Sequence, residues 1–221
     1  MQIIAVSAVL AGCAFWIQRL LLLTSFGWKF TDEDQSLLAF TLRELQSGSI
    51  HGPTFYGQSY GNWIESAVAA LFTPSSLSPS ITLPLATQLI FWLPFAAVAL
   101  KEWKNGRRIL ANLLLWIPCL LPHRADLIFS LPRAWIPGAS LVMLGATLLR
   151  SSPAALSASL VCACTLNSAS AILALPILIE ALIRKRHDRA WMLRLMGGLG
   201  VGCLHPLLIA IWSRLHPSWS I

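Results

Sequence analysis

Between Ile81 and Leu100 the chain runs for twenty residues without a charged side chain. A helix of that length measures about 30 Å, the thickness of a bilayer's hydrocarbon core. Pro84 near its start and Pro94 inside it predict a kinked span. A comparable run occupies residues 3–23. It has no basic segment ahead of it and no small-x-small cleavage site before Gln18 and Arg19, so it reads as a retained first membrane helix and not as a signal peptide. Of the 221 residues, 56% are hydrophobic and only 11% charged, less than half the usual charged share of a soluble domain. Such a chain cannot hide its apolar surface in one water-soluble core, and an integral membrane protein is expected.

The net charge of +7 reports topology. Basic residues gather in short loops, Lys101, Lys104, Arg107 and Arg108 in one and Arg184, Lys185, Arg186 and Arg189 in another. No aromatic-basic interleaving or nucleic-acid motif accompanies them, so no nucleic-acid partner is expected. The positive-inside rule puts both loops in the cytoplasm. Four apolar runs lie between them, near 109–121, 136–149, 154–166 and 168–183, and an even number of crossings returns the chain to the same side. A further helix over 190–213 completes the expected fold. It is all-α, a polytopic transmembrane bundle of about seven membrane helices forming a single membrane domain over 1–221, with the N-terminus cytoplasmic.

The middle runs fall short of the roughly 20 residues a span needs. Burial among other helices, or snorkelling of Arg108 and Arg150, would accommodate them. Trp28, Trp103, Trp135, Trp191 and Trp212 fall near expected helix ends, as an aromatic belt would. The five cysteines, Cys13, Cys119, Cys162, Cys164 and Cys203, all lie inside apolar segments and read as small core-filling residues. The five histidines show no metal-ligand spacing, and His205 before Pro206 reads as a hydrogen-bonded core histidine. No phosphate-binding glycine loop, dinucleotide fingerprint, nucleophile elbow or zinc-protease motif occurs.

One long stretch is not built for lipid. Residues 26–73 are expected to form an external loop of amphipathic surface helices after the first span, with the remaining membrane helices over 81–213. Thr31 to Phe72 holds five of the nine acidic residues, three of them together as Asp32, Glu33 and Asp34. Thr31 with Asp34 three residues on fits a helix-opening cap, and acids suit the positive end of a helix dipole. Leu37, Leu38, Leu42 and Leu45 then share one face opposite Ser36, Arg43 and Ser47, with Gly48 as a stop. Trp63 to Phe72 is too short to span and is expected to lie along the membrane surface or dip into it. Glu65 stands in an otherwise apolar run, where a paired or functional role is favoured. Tyr56, Gln58 and Tyr60 could hydrogen-bond a polar ligand, while Gly57 and Gly61 fit a turn equally well. Arg124, Asp126 and Arg133 lie in the second external loop. Either arginine could steady an anion or anchor at lipid headgroups, and Asp126 could be a second acid of the site.

Asp32-Glu33 after the first helix, an amphipathic helix ending in Glu44 to Gly48, then Phe55-Tyr56-Gly57-Gln58-Ser59-Tyr60 and Trp63-Ile64-Glu65 together resemble the first external loop of the C-type (GT-C) glycosyltransferases. These include bacterial aminoarabinose transferases, protein O-mannosyltransferases and Rgt-like envelope enzymes. The resemblance implies transfer of a sugar from a polyprenyl-phosphate-linked donor to an envelope glycan, lipid or protein, at the outer face of the bacterial cytoplasmic membrane. It implies Asp32 as general base with Glu33 in support, and it favours Arg133, a Pro-Arg followed by an aromatic, as the cation that steadies the leaving phosphate. Tyr56, Gln58, Tyr60, Glu65, Arg124 and Asp126 would complete the substrate-binding surface. No soluble cofactor is implied beyond the lipid-linked donor and membrane lipid, and the need for a divalent metal is left open. Members of the family usually continue with further helices, so a short or truncated member is expected. The contrasting reading is a non-catalytic membrane protein, such as a carrier, a lipid-handling subunit or a degenerate transferase.

Overall fold

The computed structural model of the chain describes residues 2–25, 29, 32–49, 62–72, 77–121 and 131–215. Among them every regular element is helical: α1 (Gln2–Ser25), α2 (Glu33–Gln46), α3 (Ile64–Phe72), α4 (Pro79–Lys104), α5 (Arg108–Trp116), α6 (Ile136–Leu148), α7 (Pro153–Leu166), α8 (Ala171–Lys185), α9 (Arg189–Gly202) and α10 (Leu204–Leu215). Short 3₁₀ turns follow α5 (Ile117–Cys119) and precede α8 (Ser168–Ser170).

Local chemistry sets the boundaries. Ser78 and Ser152 cap α4 and α7 through their hydroxyls, each followed by a proline that needs no intrahelical N–H there. The Asp188 carboxylate caps α9. Gly48 and Gly106 follow the last turns of α2 and α4 with φ of 80°, a left-handed stop that glycine adopts without a Cβ penalty.

Among the described residues, three helical stretches are long and apolar enough to cross a membrane: Ile3–Ser25, Pro79–Lys104 and Arg189–Trp212. α4 runs unbroken through Pro84 and Pro94. The last stretch, expected as one helix over 190–213, is instead two, interrupted at Cys203. Pro206 has no N–H to return to the carbonyl of Gly202, so the ladder cannot continue evenly through this turn.

The α5 segment Arg108–Cys119, α6 and α7 are apolar but shorter, and at about 20 Å they cannot span alone. Burial compensates in the case of α7, which packs on α6, α8 and α9. Val142, Leu156, Leu160, Ala163 and Ala174 form the core there. Small residues let the backbones approach. A Cβ on Gly198 of α9 would collide with the Ala154 backbone and the Ser157 hydroxyl, and one on Gly145 of α6 with the Ser159 hydroxyl. Ser157 fixes the α7–α9 contact by donating to the Leu195 carbonyl at 2.7 Å.

α4 forms a hairpin with α5, and α1 packs on α5. α2 and α3 cover the first half of α4, burying Leu38, Leu42 and Ala69 against Leu83 and Ala86. The leucine face of α2 is thus turned inward, with Leu37 and Leu45 half-buried. α3 is wedged between α2 and α4 with Glu65, Ser66 and Ala69 fully buried.

The cysteine reading needs correction at two positions. None of the five is bridged, but Cys13 on α1 and Cys203 between α9 and α10 are exposed, and only Cys119, Cys162 and Cys164 are partly buried. Arg150 makes an ion pair with Glu180 at 2.6 Å, and Arg184 meets the same carboxylate at 2.9 Å.

Candidate functional site

The acidic stretch begins with a cap, one residue later than the Thr31–Asp34 pattern suggests. Asp32 is the N-cap of α2: its Oδ1 accepts the Asp34 N–H at 3.1 Å, and the Gln35 side chain accepts the Asp32 N–H. The Gln35 carbonyl oxygen completes this box, and its amide, unlike a carboxylate, can donate as well. Its Nε2 donates onward to the Pro132 carbonyl at 2.6 Å.

That second bond opens a clamp on the segment before α6. The Glu65 Oε1 accepts the Arg133 N–H at 3.2 Å, and the Asn62 Nδ2 donates to the carbonyls of Ala134 and, at 3.0 Å, Leu166. Three side chains thus hold three consecutive residues by their backbones. Held this way, Arg133 sets its Nη1 3.2 Å from the Asp32 Oδ2, with 32% of the arginine side chain and 46% of the aspartate exposed. The pair stands at the surface, above a buried polar base.

Glu65 forms that base. It is fully buried, and its Oε1 also accepts the Thr87 hydroxyl of α4 at 2.6 Å. Its Oε2 is buried with no partner among the described residues. Loss of water raises its pKa to about 7, although the Thr87 and Arg133 hydrogen bonds pull the other way. Near neutral pH the carboxyl is therefore balanced between its two forms, a state suited to exchanging a proton or to sensing one.

Beside the clamp lies a cavity of about 250 Å³, lined among others by Gln35, Arg43, Ser78, Ser80, Leu131 and Pro132. Ala39, Pro79, Leu83 and Pro84 complete a recess of mixed polar and apolar lining next to the Asp32 turn.

Of the residues the sequence singles out, the fold brings Asp32, Glu65 and Arg133 together. Glu33 is exposed in the first turn of α2. Tyr56, Gln58, Tyr60, Arg124 and Asp126 lie outside the described residues. Sequence reasoning missed Gln35, Asn62 and Thr87. The usable signal was polar side chains within or beside apolar runs, where burial demands partners. His205, read as a hydrogen-bonded core residue, is partly buried with its Nδ1 3.0 Å from the Thr165 hydroxyl. Among the described residues, no three of His, Cys, Asp or Glu converge as a metal centre would require.

No protein-family model matches the chain, and no curated protein or solved structure is significantly similar to it.

Proposed function

We propose that this chain transfers a sugar from a polyprenyl-phosphate donor to an envelope acceptor at the outer face of the bacterial cytoplasmic membrane. Asp32 is the general base, Glu33 a supporting acid, and Arg133 the cation beside the leaving phosphate. About seven membrane crossings with a cytoplasmic N-terminus put this site outside. In the reaction, the acceptor hydroxyl gives its proton to Asp32 as its oxygen bonds the anomeric carbon. The bond from that carbon to the phosphate oxygen breaks, and the electron pair leaves with the polyprenyl phosphate. Arg133 offsets the charge that develops there. Tyr56, Gln58, Tyr60, Arg124 and Asp126 are proposed to line the substrates, and Glu65 holds the arginine from below.

The observation that carries this reading is the half-exposed Asp32–Arg133 pair, which joins the acidic stretch after α1 to the segment before α6. A base and a cation within one hydrogen-bond length, beside a cavity of mixed lining, are the groups such a transfer needs. The reading as a non-catalytic membrane protein draws on a different feature of the same place. Asp32 already caps a helix and pairs with Arg133, which is a complete structural employment for one carboxylate.

Asp32→Asn separates the two. Asparagine caps about as well as aspartate, so folding should hold, while a lost base lowers transfer by about 100-fold to 10,000-fold. The assay supplies a polyprenyl-phosphate sugar to membranes containing the protein. Full activity in Asp32→Asn would remove Asp32 as the base, and no activity in the parent would favour the non-catalytic reading.

A further inference from the structure

α1 and α4 touch near the middle of α1, where the rings of Phe15 and Trp92 stack with centroids 6.3 Å apart. Toward the start of α1 and the end of α4 they part. The gap is a cleft of about 340 Å³ floored by α5, and Ala5, Ala8, Ala96, Ala99, Trp103 and Ala111 are among its walls. Its walls span Ala96 to Trp103 on α4, seven residues of helix or about 10 Å, which lies within the depth of a single leaflet. A membrane helix, about 10 Å across and spanning both leaflets, would need the gap to continue past Phe15. One hydrocarbon chain needs only the half-depth.

The mouth of the cleft carries an excess of positive charge. The Arg108 guanidinium lies 5.8 Å from the centre of the Trp103 ring that walls the cleft. Lys104 follows Leu100, another wall residue, by one helical turn on the same face. The neighbouring cations are committed elsewhere: Arg107 to the Glu102 carboxylate, and Lys101 to the Thr147 carbonyl at 2.7 Å. Arg108 and Lys104 make no ion pair among the described residues.

We propose that this cleft is a lipid site, holding one acyl chain of an anionic phospholipid whose phosphate sits on Arg108 and Lys104. The alanine walls admit the chain, Trp103 marks the level of the membrane interface, and the two cations, with no ion pair among the described residues, select charge. This inference rests on the chain crossing a membrane and not on sugar transfer, so an inactive transferase would leave it standing.

The test uses the full chain in mild detergent and measures bound lipid by native mass spectrometry. Phosphatidylglycerol is compared with phosphatidylcholine of the same acyl chains and with glycerol 3-phosphate. One phosphatidylglycerol per chain should be retained in preference to phosphatidylcholine, and glycerol 3-phosphate should not displace it. Replacing Arg108 and Lys104 by Gln should weaken phosphatidylglycerol about fivefold for each cation removed and leave phosphatidylcholine unchanged. Ala8→Leu should weaken both lipids by filling the cleft. If that variant fails to fold, Ala96→Leu replaces it at the opposite wall. Equal retention of the two lipids would overturn the proposal. So would phosphatidylglycerol binding that both kinds of variant leave intact, displacement by glycerol 3-phosphate, or a second copy of the chain protecting the cleft.

Discussion

Around Arg133, side chains from α2, α3 and the turn before α3 reach a backbone and hold it by hydrogen bonds. Around α7 the helices approach closely because Gly198 lies against the Ala154 backbone and Gly145 leaves room for the Ser159 side chain. The first arrangement depends on which atoms carry protons and charge, and the second chiefly on volume, with a neutral Ser157 hydrogen bond that pH does not alter. The same kind of substitution should therefore fail for different reasons at the two places, and pH should act on only one.

The sharpest break in the comparison is Gly198→Val. Its Cβ would meet the Ala154 backbone, which cannot move aside as a flexible side chain would. Destabilisation of about 3 kcal/mol or more is expected, independent of pH, read as loss of folded yield or a lowered Tm in detergent.

Glu65 should behave in the opposite way. Its carboxyl is raised from 4.5 to about 7 in the folded protein, so the fold binds a proton that the unfolded chain has released across that window. Stability attributable to Glu65 is full below about pH 4.5 and falls as pH rises through 7, by about 3 kcal/mol in all. Glu65→Gln keeps an acceptor for Thr87 and Arg133 and should flatten this dependence. A variant as pH-sensitive as the parent would show that the titration lies elsewhere.

At the exposed edge of the clamp, Asp32→Ala removes a cap and a half-exposed ion pair. A cost of about 1 kcal/mol is expected, since surface pairs add little beyond the cap. Smallest of all is Gly200→Ala on α9, where an added Cβ meets nothing within 4 Å. It should stabilise by up to about 1 kcal/mol, and a loss there would mean that α9 tolerates no added volume even on its open side.

The helices were readable because apolar runs, prolines and caps act locally. Ser78-Pro79 and Ser152-Pro153 mark helix starts, and Gly48 marks a stop, without help from the rest of the chain. The break at Cys203 was less visible, because Pro206 tells where a hydrogen bond is missing but not whether the helix bends or restarts. Asp32, Glu65 and Arg133 were each conspicuous as charges beside apolar sequence. That Arg133 would serve both acids was not legible, because its guanidinium goes to Asp32 while its link to Glu65 is a backbone N–H and carries no residue type. Gln35 escaped for a related reason. Its role needs both ends of one amide, joined to residues three and 97 positions away. The exposed Cys13 and Cys203 show the limit of hydropathy, which reports that a helix is apolar but not which side meets lipid.

The central claim is that Asp32 and Arg133 work as one unit in sugar transfer, and a double-mutant cycle tests it most directly. Asp32→Asn, Arg133→Gln and the double variant would be compared for transfer from a polyprenyl-phosphate sugar, with Tm measured on each. Groups that act together are not additive. The account predicts a large loss in each single variant, little further loss in the double, and Tm values within a few degrees of the parent. Losses that multiply in the double variant, or single variants with full activity, would contradict it.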